Sequence, residues 1–331
     1  MERGSFLVNS FFVFGIIFVF WGCGQGSKSP LTGLASLSSE EVGFGDPSRP
    51  DFFVLSDGLD LKKYDATRLQ TRTGKGNAFS NTQKKSYESL KKKSGVYWVV
   101  RDMASGDILA KSKDTETNVY GASVPKIIVA ASALYKNDGR LKTESLWKAL
   151  IRLLVDSENN PAWDEMQAAA GGKDGINAFT KMMGYKKMRA ARYDGNAVNA
   201  IEMSQFYFDV LNGKFTGSEV VFKVASACNT ANDRSFKYYT KDIYAGGKTG
   251  TYESANHDTR FLRVNGKWYS IVVLTTLGNS ENVAVMHGGL LREFILGNYT
   301  PPVDDPDNSE DNSGEGDNDG SDPNDSTDSD E

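Results

Sequence analysis

The chain has 331 residues, 39% hydrophobic and 24% charged, enough for one large domain or two smaller ones around a sizeable core. Its net charge of −5 is unevenly placed: residues 304–331 hold 13 Asp/Glu and no Lys/Arg, so the remainder is net +8 and a basic body carries an acidic tail. Two histidines (His257, His287) and two cysteines (Cys23, Cys228) are too few for a usual catalytic zinc site. No G-x-S-x-G elbow supports a histidine-based triad, and no nucleic-acid-binding motif is present.

At the start, Phe11 to Phe20 is an uncharged apolar run behind Arg3. It is short for a membrane span, which needs about 20 apolar residues, and fits a secretory signal core. Gly22-Cys23-Gly24 follows, resembling a bacterial lipoprotein signal, although Phe20 and Trp21 replace the usual smaller aliphatic residues. The resemblance implies export to the cell envelope, lipidation of Cys23 and a membrane anchor; the alternatives are an ordinary cleaved signal, giving a periplasmic or extracellular protein, or an uncleaved anchor with an incidental cysteine. Cys228 is then left without a thiol for a stable intrachain disulfide and is expected as a buried free thiol. Residues 24–80, rich in Ser, Gly, Lys and Asp, read as a tether and loosely ordered lead-in. The stretch 301–331 has almost no apolar residue after Val303 and is expected to be disordered.

Residues 81–300 read as the folded body. Gln83–Lys93 has the pattern of a short helix. Residues 95–100 and 106–110 read as a hairpin. Val124 to Tyr135 is apolar and helical in composition, with Pro125 in the first turn, where a missing N–H costs nothing. Helical patterns continue to about Asn212. Strand character returns after Ile243: residues 260–264, an Asn265-Gly266 turn, then 267–276, a strong hairpin signal. Glu281–Leu296 closes as a helix. The fold class is α/β: an antiparallel sheet flanked by terminal helices, plus an all-helical lobe, with the site in the cleft between them.

Three short elements carry the chemistry: Ser123-Val124-Pro125-Lys126, Ser157-Glu158-Asn159 and Lys248-Thr249-Gly250. Each alone is weak, since a Ser and a Lys three apart arise often by chance. Their order and settings say more. The first opens a buried-type helix, the second sits between helices, and the third lies on a strand before a hairpin. Residues three apart on a helix share a face, so Ser123 and Lys126 can meet. Burial and the second cation, Lys248, favour a neutral Lys126 able to take the serine proton.

Together the elements resemble the penicillin-recognising serine hydrolases, and most closely class A β-lactamases, over about residues 81–299. The flanking Asn160-Pro161-Ala162, Gly171-Gly172 and Gly246-Gly247 extend the likeness. The resemblance implies Ser123 as nucleophile, Lys126 as base and Ser157 as proton relay to the leaving nitrogen. It implies Asn159 as a contact to the substrate amide, and Lys248, Thr249 and Gly250 as the carboxylate site. The backbone N–H groups of Ser123 and Thr251 would form the oxyanion hole. Arg260, placed just before the next strand, is expected either as a further carboxylate contact or as a solvated strand-edge residue. No cofactor is implied, and a monomer is expected.

The pattern departs from class A in the stretch 183–203, which is short and has no glutamate before Glu202. Glu202 itself reads as the start of the next helix. Asp194, within Arg192-Tyr193-Asp194 and near Asn196 and Asn199, takes the place of the deacylating acid on a shorter side chain. The segment 126–157 is also short, and Glu158 replaces a more common aspartate. Three readings follow: a β-lactamase, a D-alanyl-D-alanine carboxypeptidase or related peptidoglycan enzyme, and a non-catalytic penicillin-recognising sensor or wall-binding module. The overall likeness favours the first, with β-lactams rather than D-alanyl-D-alanine peptides as substrate.

Overall fold

A computed structural model describes residues 43–192, 195–230 and 234–303. The apolar run and Cys23 at the start, Asp194, and the acidic tail from residue 304 lie outside the described residues.

The lead-in corrects one expectation: from residue 43 it belongs to the folded body. Phe52, Phe53, Leu55, Leu61 and Leu69 are all buried. Phe44 and Phe52 each bring a ring to 5.7 Å from that of Phe222, and Tyr64 stacks on Trp147 at 5.0 Å. The segment holds one short helix, α1 (Lys62–Asp65); local turns satisfy most of its backbone, and distant side chains tie it to the body. Glu219 accepts from the Ser56 N–H and hydroxyl at 2.9 and 2.8 Å. Lys223 donates to the Val54 carbonyl at 2.5 Å, and Arg68 pairs with Asp156. Aromatic burial at a few anchors offsets the ordering entropy of an otherwise irregular stretch.

Helix α2 (Asn81–Lys91) begins at a Ser80–Gln83 capping box. Strands β1 (Val96–Asp102) and β2 (Ile108–Lys111) form the expected hairpin. Short β3 (Val119–Tyr120) leads into α3 (Lys126–Lys136). Every α3 residue from Lys126 to Leu134 is buried, which marks a core helix rather than an amphipathic one. The lobe continues with α4 (Glu144–Ile151), a π-helical turn (Arg152–Asp156), α5 (Ala162–Ala169) and α6 (Gly172–Met182). Then come β4 (Ala197–Val198), α7 (Ala200–Leu211), α8 (Ser218–Ala225) and α9 (Ser235–Tyr238). Strands β5 (Tyr244–Tyr252), β6 (Ala255–Val264) and β7 (Lys267–Thr275) follow, and α10 (Ser280–Leu290) closes into a second π-helical turn (Leu291–Leu296).

The sheet is antiparallel throughout, in the order β2-β1-β7-β6-β5. Side chains alternate between its faces. Trp98, Val100, Ile271 and Val273 meet Tyr87, Phe236 and Met286 of α2, α9 and α10. Val99, Phe261, Trp268 and Val272 join the core of the helical lobe. Strand β6 starts at Ala255, earlier than its apolar pattern suggests, because Asn256, His257, Asp258 and Thr259 are polar yet buried. Strand β5 is left as the sheet edge, and the lobe borders it there. Among the described residues no helix is long and apolar enough to cross a membrane.

Because Phe52 is 3% exposed, Phe52→Ala is expected to destabilise the protein by about 3 kcal/mol. A denaturant titration of both chains checks this; an unshifted midpoint would return the lead-in to the status of a loose tether.

Candidate active site

Ser123 lies in the turn between β3 and α3, half-buried, and Lys126 opens α3 with no exposed surface. The Lys126 Nζ sits 2.9 Å from Ser123 Oγ, 2.7 Å from Asn159 Oδ1 and 2.5 Å from the Ser157 carbonyl oxygen. Ser157 follows the π-helical turn with φ +62°, and Ala122, just before the nucleophile, has φ +49°. Such left-handed positions cost a non-glycine residue of order 1–3 kcal/mol and persist only where packing enforces them. Ser157 Oγ is held between two amines, 2.7 Å from Lys248 Nζ and 3.4 Å from Lys126 Nζ. All three sequence elements therefore converge on one cluster.

Burial pushes the Lys126 amine down to about 6, and the nearby cations Lys248 and Arg192 push it further the same way. Trp163, whose ring centre is 5.0 Å from the amine, forms part of its wall. A neutral amine has two N–H groups. The Ser157 carbonyl and the Asn159 amide oxygen can only accept, so they take both. The lone pair is left for the Ser123 hydroxyl, the arrangement a general base requires. Lys248 is fully buried and lowered to about 8 by burial, with Arg260 and Arg234 adding to the effect against the Cys228 thiol. It donates to Ser157 Oγ and to the Thr249 carbonyl at 3.1 Å.

Strand β5 approaches Ser123 closely. A Cβ on Gly250 would lie 2.8 Å from the Gly121 carbonyl oxygen and 3.0 Å from the Ser123 nitrogen, so only glycine fits there. Thr249 Oγ1 is 2.6 Å from Thr230 Oγ1, which is in turn 3.2 Å from Cys228 Sγ. Cys228 is a buried free cysteine. Burial works against its ionisation, but Arg260 and Lys248 outweigh burial and lower the thiol.

Arg260 corrects both of its expectations. It lies mid-strand in β6 opposite Gly247, has no exposed surface, and pairs with Asp258 at 2.5 Å beneath the Phe236 ring. It is a fully buried ion pair rather than a solvated strand-edge residue. The guanidinium at the cleft is that of Arg234, which donates to Thr251 Oγ1 and, at 3.1 Å, to the His257 carbonyl. Both histidines are structural. Burial pushes each down to about 4. The Nδ1 of His257 accepts from the Thr275 N–H and its Nε2 meets the Tyr120 carbonyl at 2.7 Å, while His287 bridges Tyr239 and the Asp258 carbonyl.

No protein-family model matches the chain and no curated protein does. Solved structures do. A variant of the reconstructed last common ancestor of Gram-negative class A β-lactamases matches with a TM-score of 0.55 and 17% identity, over 65% of this chain and 99% of that one. A β-lactamase from Xanthomonas campestris matches with a TM-score of 0.55 and 13% identity, over 65% and 97%. One from Chitinophaga pinensis matches at 0.51 and 15%, over 62% and 95%. The chain has the β-lactamase fold.

On this fold the stretch 183–203 behaves partly as its sequence implies. Glu202 sits in the first turn of α7, and its carboxylate is taken up by the backbone N–H groups of Lys186, Lys187 and Met188. Asn199 caps α7. Among the described residues of this stretch, Asn196 bonds the turn that carries Ser123: its Nδ2 donates to the Ala122 carbonyl at 2.8 Å, while its buried Oδ1 has no partner among the described residues. Sequence reasoning missed Arg234, Thr230 and Trp163. None belongs to a short motif; each reaches the cluster through chain folding alone.

An acylation rate that needs neutral Lys126 and charged Lys248 is expected to rise with pH through about 6 and fall above about 8. Lys126→Arg, which cannot give up its proton, should lower the rate by about 10³-fold. Single-turnover acylation across pH tests both; a flat profile would remove the paired amines from the chemistry.

Proposed function

We propose that this protein is a serine hydrolase that opens β-lactams through an acyl-enzyme on Ser123. The observation that carries this reading is the Ser123 hydroxyl 2.9 Å from an amine whose pKa is lowered to about 6. Ser123 Oγ attacks the lactam carbonyl as its proton passes to Lys126. The C–N bond then breaks, and the proton moves through the Ser157 hydroxyl to the departing ring nitrogen, leaving an ester on Ser123. The backbone N–H groups of Ser123 and Thr251 stabilise the developing oxyanion. Lys248, Thr249 and Arg234 receive the substrate carboxylate, and Asn159 holds its amide. Water then hydrolyses the ester. The Asn196 Oδ1, which has no partner among the described residues, and the Asp194 carboxylate are the groups we assign to that water.

A D-alanyl-D-alanine carboxypeptidase is the second reading. It is favoured by the short stretch 183–203, whose Glu202 is already engaged by three backbone N–H groups. The two readings share the acylation step and differ in deacylation. Export and anchoring at a lipid-modified Cys23 belong to both.

A fluorescent penicillin is expected to label the full chain covalently and to leave Ser123→Ala unlabelled; equal labelling of the two would end the enzyme reading. Label lost within seconds, with steady turnover of a chromogenic cephalosporin, supports the β-lactamase, whereas label retained for hours supports the carboxypeptidase. Mass spectrometry of the mature N-terminus in its native host is expected to find diacylglycerol on Cys23; an unmodified residue there would exclude the lipid anchor.

A further inference from the structure

A second feature lies apart from the catalytic cleft. Where α2 ends and β2 ends, a cavity of about 540 Å³ is lined by five lysines against two carboxylates, Asp114 and Glu293. Glu293 is already engaged by Lys91 at 2.9 Å and by the Tyr87 hydroxyl. The remaining lysines, Lys92, Lys93, Lys111 and Lys113, are exposed, and none is ion-paired among the described residues. Like charges gathered on one cavity repel one another and raise the local potential, which favours an anionic occupant.

The chain supplies one. The 28 residues after Val303 contain 13 Asp/Glu and no Lys/Arg. Their point of departure is fixed on the same helix. The Tyr299 hydroxyl donates to Glu88, Lys84 donates to Thr300 Oγ1 at 2.7 Å, and Val303 exchanges two hydrogen bonds with the Asn81 side chain. Helix α2 runs from Asn81 to Lys91, about 16 Å at 1.5 Å per residue. A stretch of 28 residues can span up to about 90 Å when extended. Turning back along α2 is therefore within easy reach, and tethering gives the carboxylates a millimolar-range effective concentration at the lysines.

We infer that the acidic segment 304–331 docks in cis on the lysine-lined cavity formed by Lys92, Lys93, Lys111 and Lys113. The contact is many weak, screened ion pairs rather than one fixed geometry, so it fades with salt. It masks a lysine-rich part of a net-positive body from other polyanions. This inference is independent of the chemistry at Ser123.

The test uses full-length protein and a full-length variant whose 13 tail acids are replaced by Asn and Gln. Lysine acetylation rates are read by peptide mass spectrometry. In the native chain at low salt, Lys92, Lys93, Lys111 and Lys113 are expected to react several-fold more slowly than in the variant. Lys142 and Lys181 in the helical lobe should react equally in both. The difference should vanish at about 1 M salt, where the screening length is about 3 Å. Carbodiimide is expected to join the tail to the same four lysines within one molecule. Equal reactivity in the two chains, or protection that disappears on dilution, would overturn docking in cis. Lysines equally reactive in both chains but shielded by phosphatidylglycerol vesicles would assign the face to an anionic membrane instead.

Discussion

The site depends on keeping one amine out of water without leaving it unsatisfied. A lysine moved into a protein interior loses hydration that nothing apolar replaces, and the usual outcome is loss of its proton. Here the interior supplies two acceptors that cannot donate, a backbone carbonyl and an amide oxygen, and leaves one direction open towards a hydroxyl. The same burial that would be a defect elsewhere sets the proton inventory of the cleft. The second lysine, more easily kept charged, then serves a different purpose a few ångströms away, with the Ser157 hydroxyl between the two. Two like groups with separated pKa values are a recognised way for one site to hold a base and a cation together.

Everything near this cluster serves to hold three chain segments within hydrogen-bonding distance. The apolar helix α3 fixes Lys126 from one side. A π-helical turn ending in a left-handed serine brings in the second segment. The third is a sheet edge stripped of a side chain at Gly250 so that it can pass the nucleophile. Behind that edge the Arg260–Asp258 pair and two neutral histidines tie β6 to β3, α9 and α10. His257, Asp258 and Thr259 of β6 therefore help frame the edge strand through bonds to β3, α9 and the Lys248 carbonyl of β5.

Much of this was legible in the sequence because the three elements are local: each places its chemistry within four residues and sits at a boundary marked by proline, glycine or an apolar run. The hairpins at 95–110 and 260–276 and the closing helix were equally plain from periodicity. Three things were not. Arg260 lies among polar residues, which reads as an exposed strand end, whereas α9 and α10 cover Asp258 and Arg260 while Tyr207 of α7 covers Thr259. Arg234 stands outside any motif and meets Thr251 Oγ1 from 17 positions away in the chain, a contact that no local pattern encodes. The lead-in lacks periodicity because its aromatic anchors are spaced irregularly, and burial without regular secondary structure leaves no pattern to count.

That packed lead-in also shortens the leash. Only 19 residues (24–42) separate Cys23 from the first described residue, Gly43, a length that spans at most about 70 Å when drawn out straight. A lipid on Cys23 would thus confine the cleft to a thin shell above the bilayer. Molecules diffusing close to that surface would be within its range, and those deeper in the surrounding space would have to come to it.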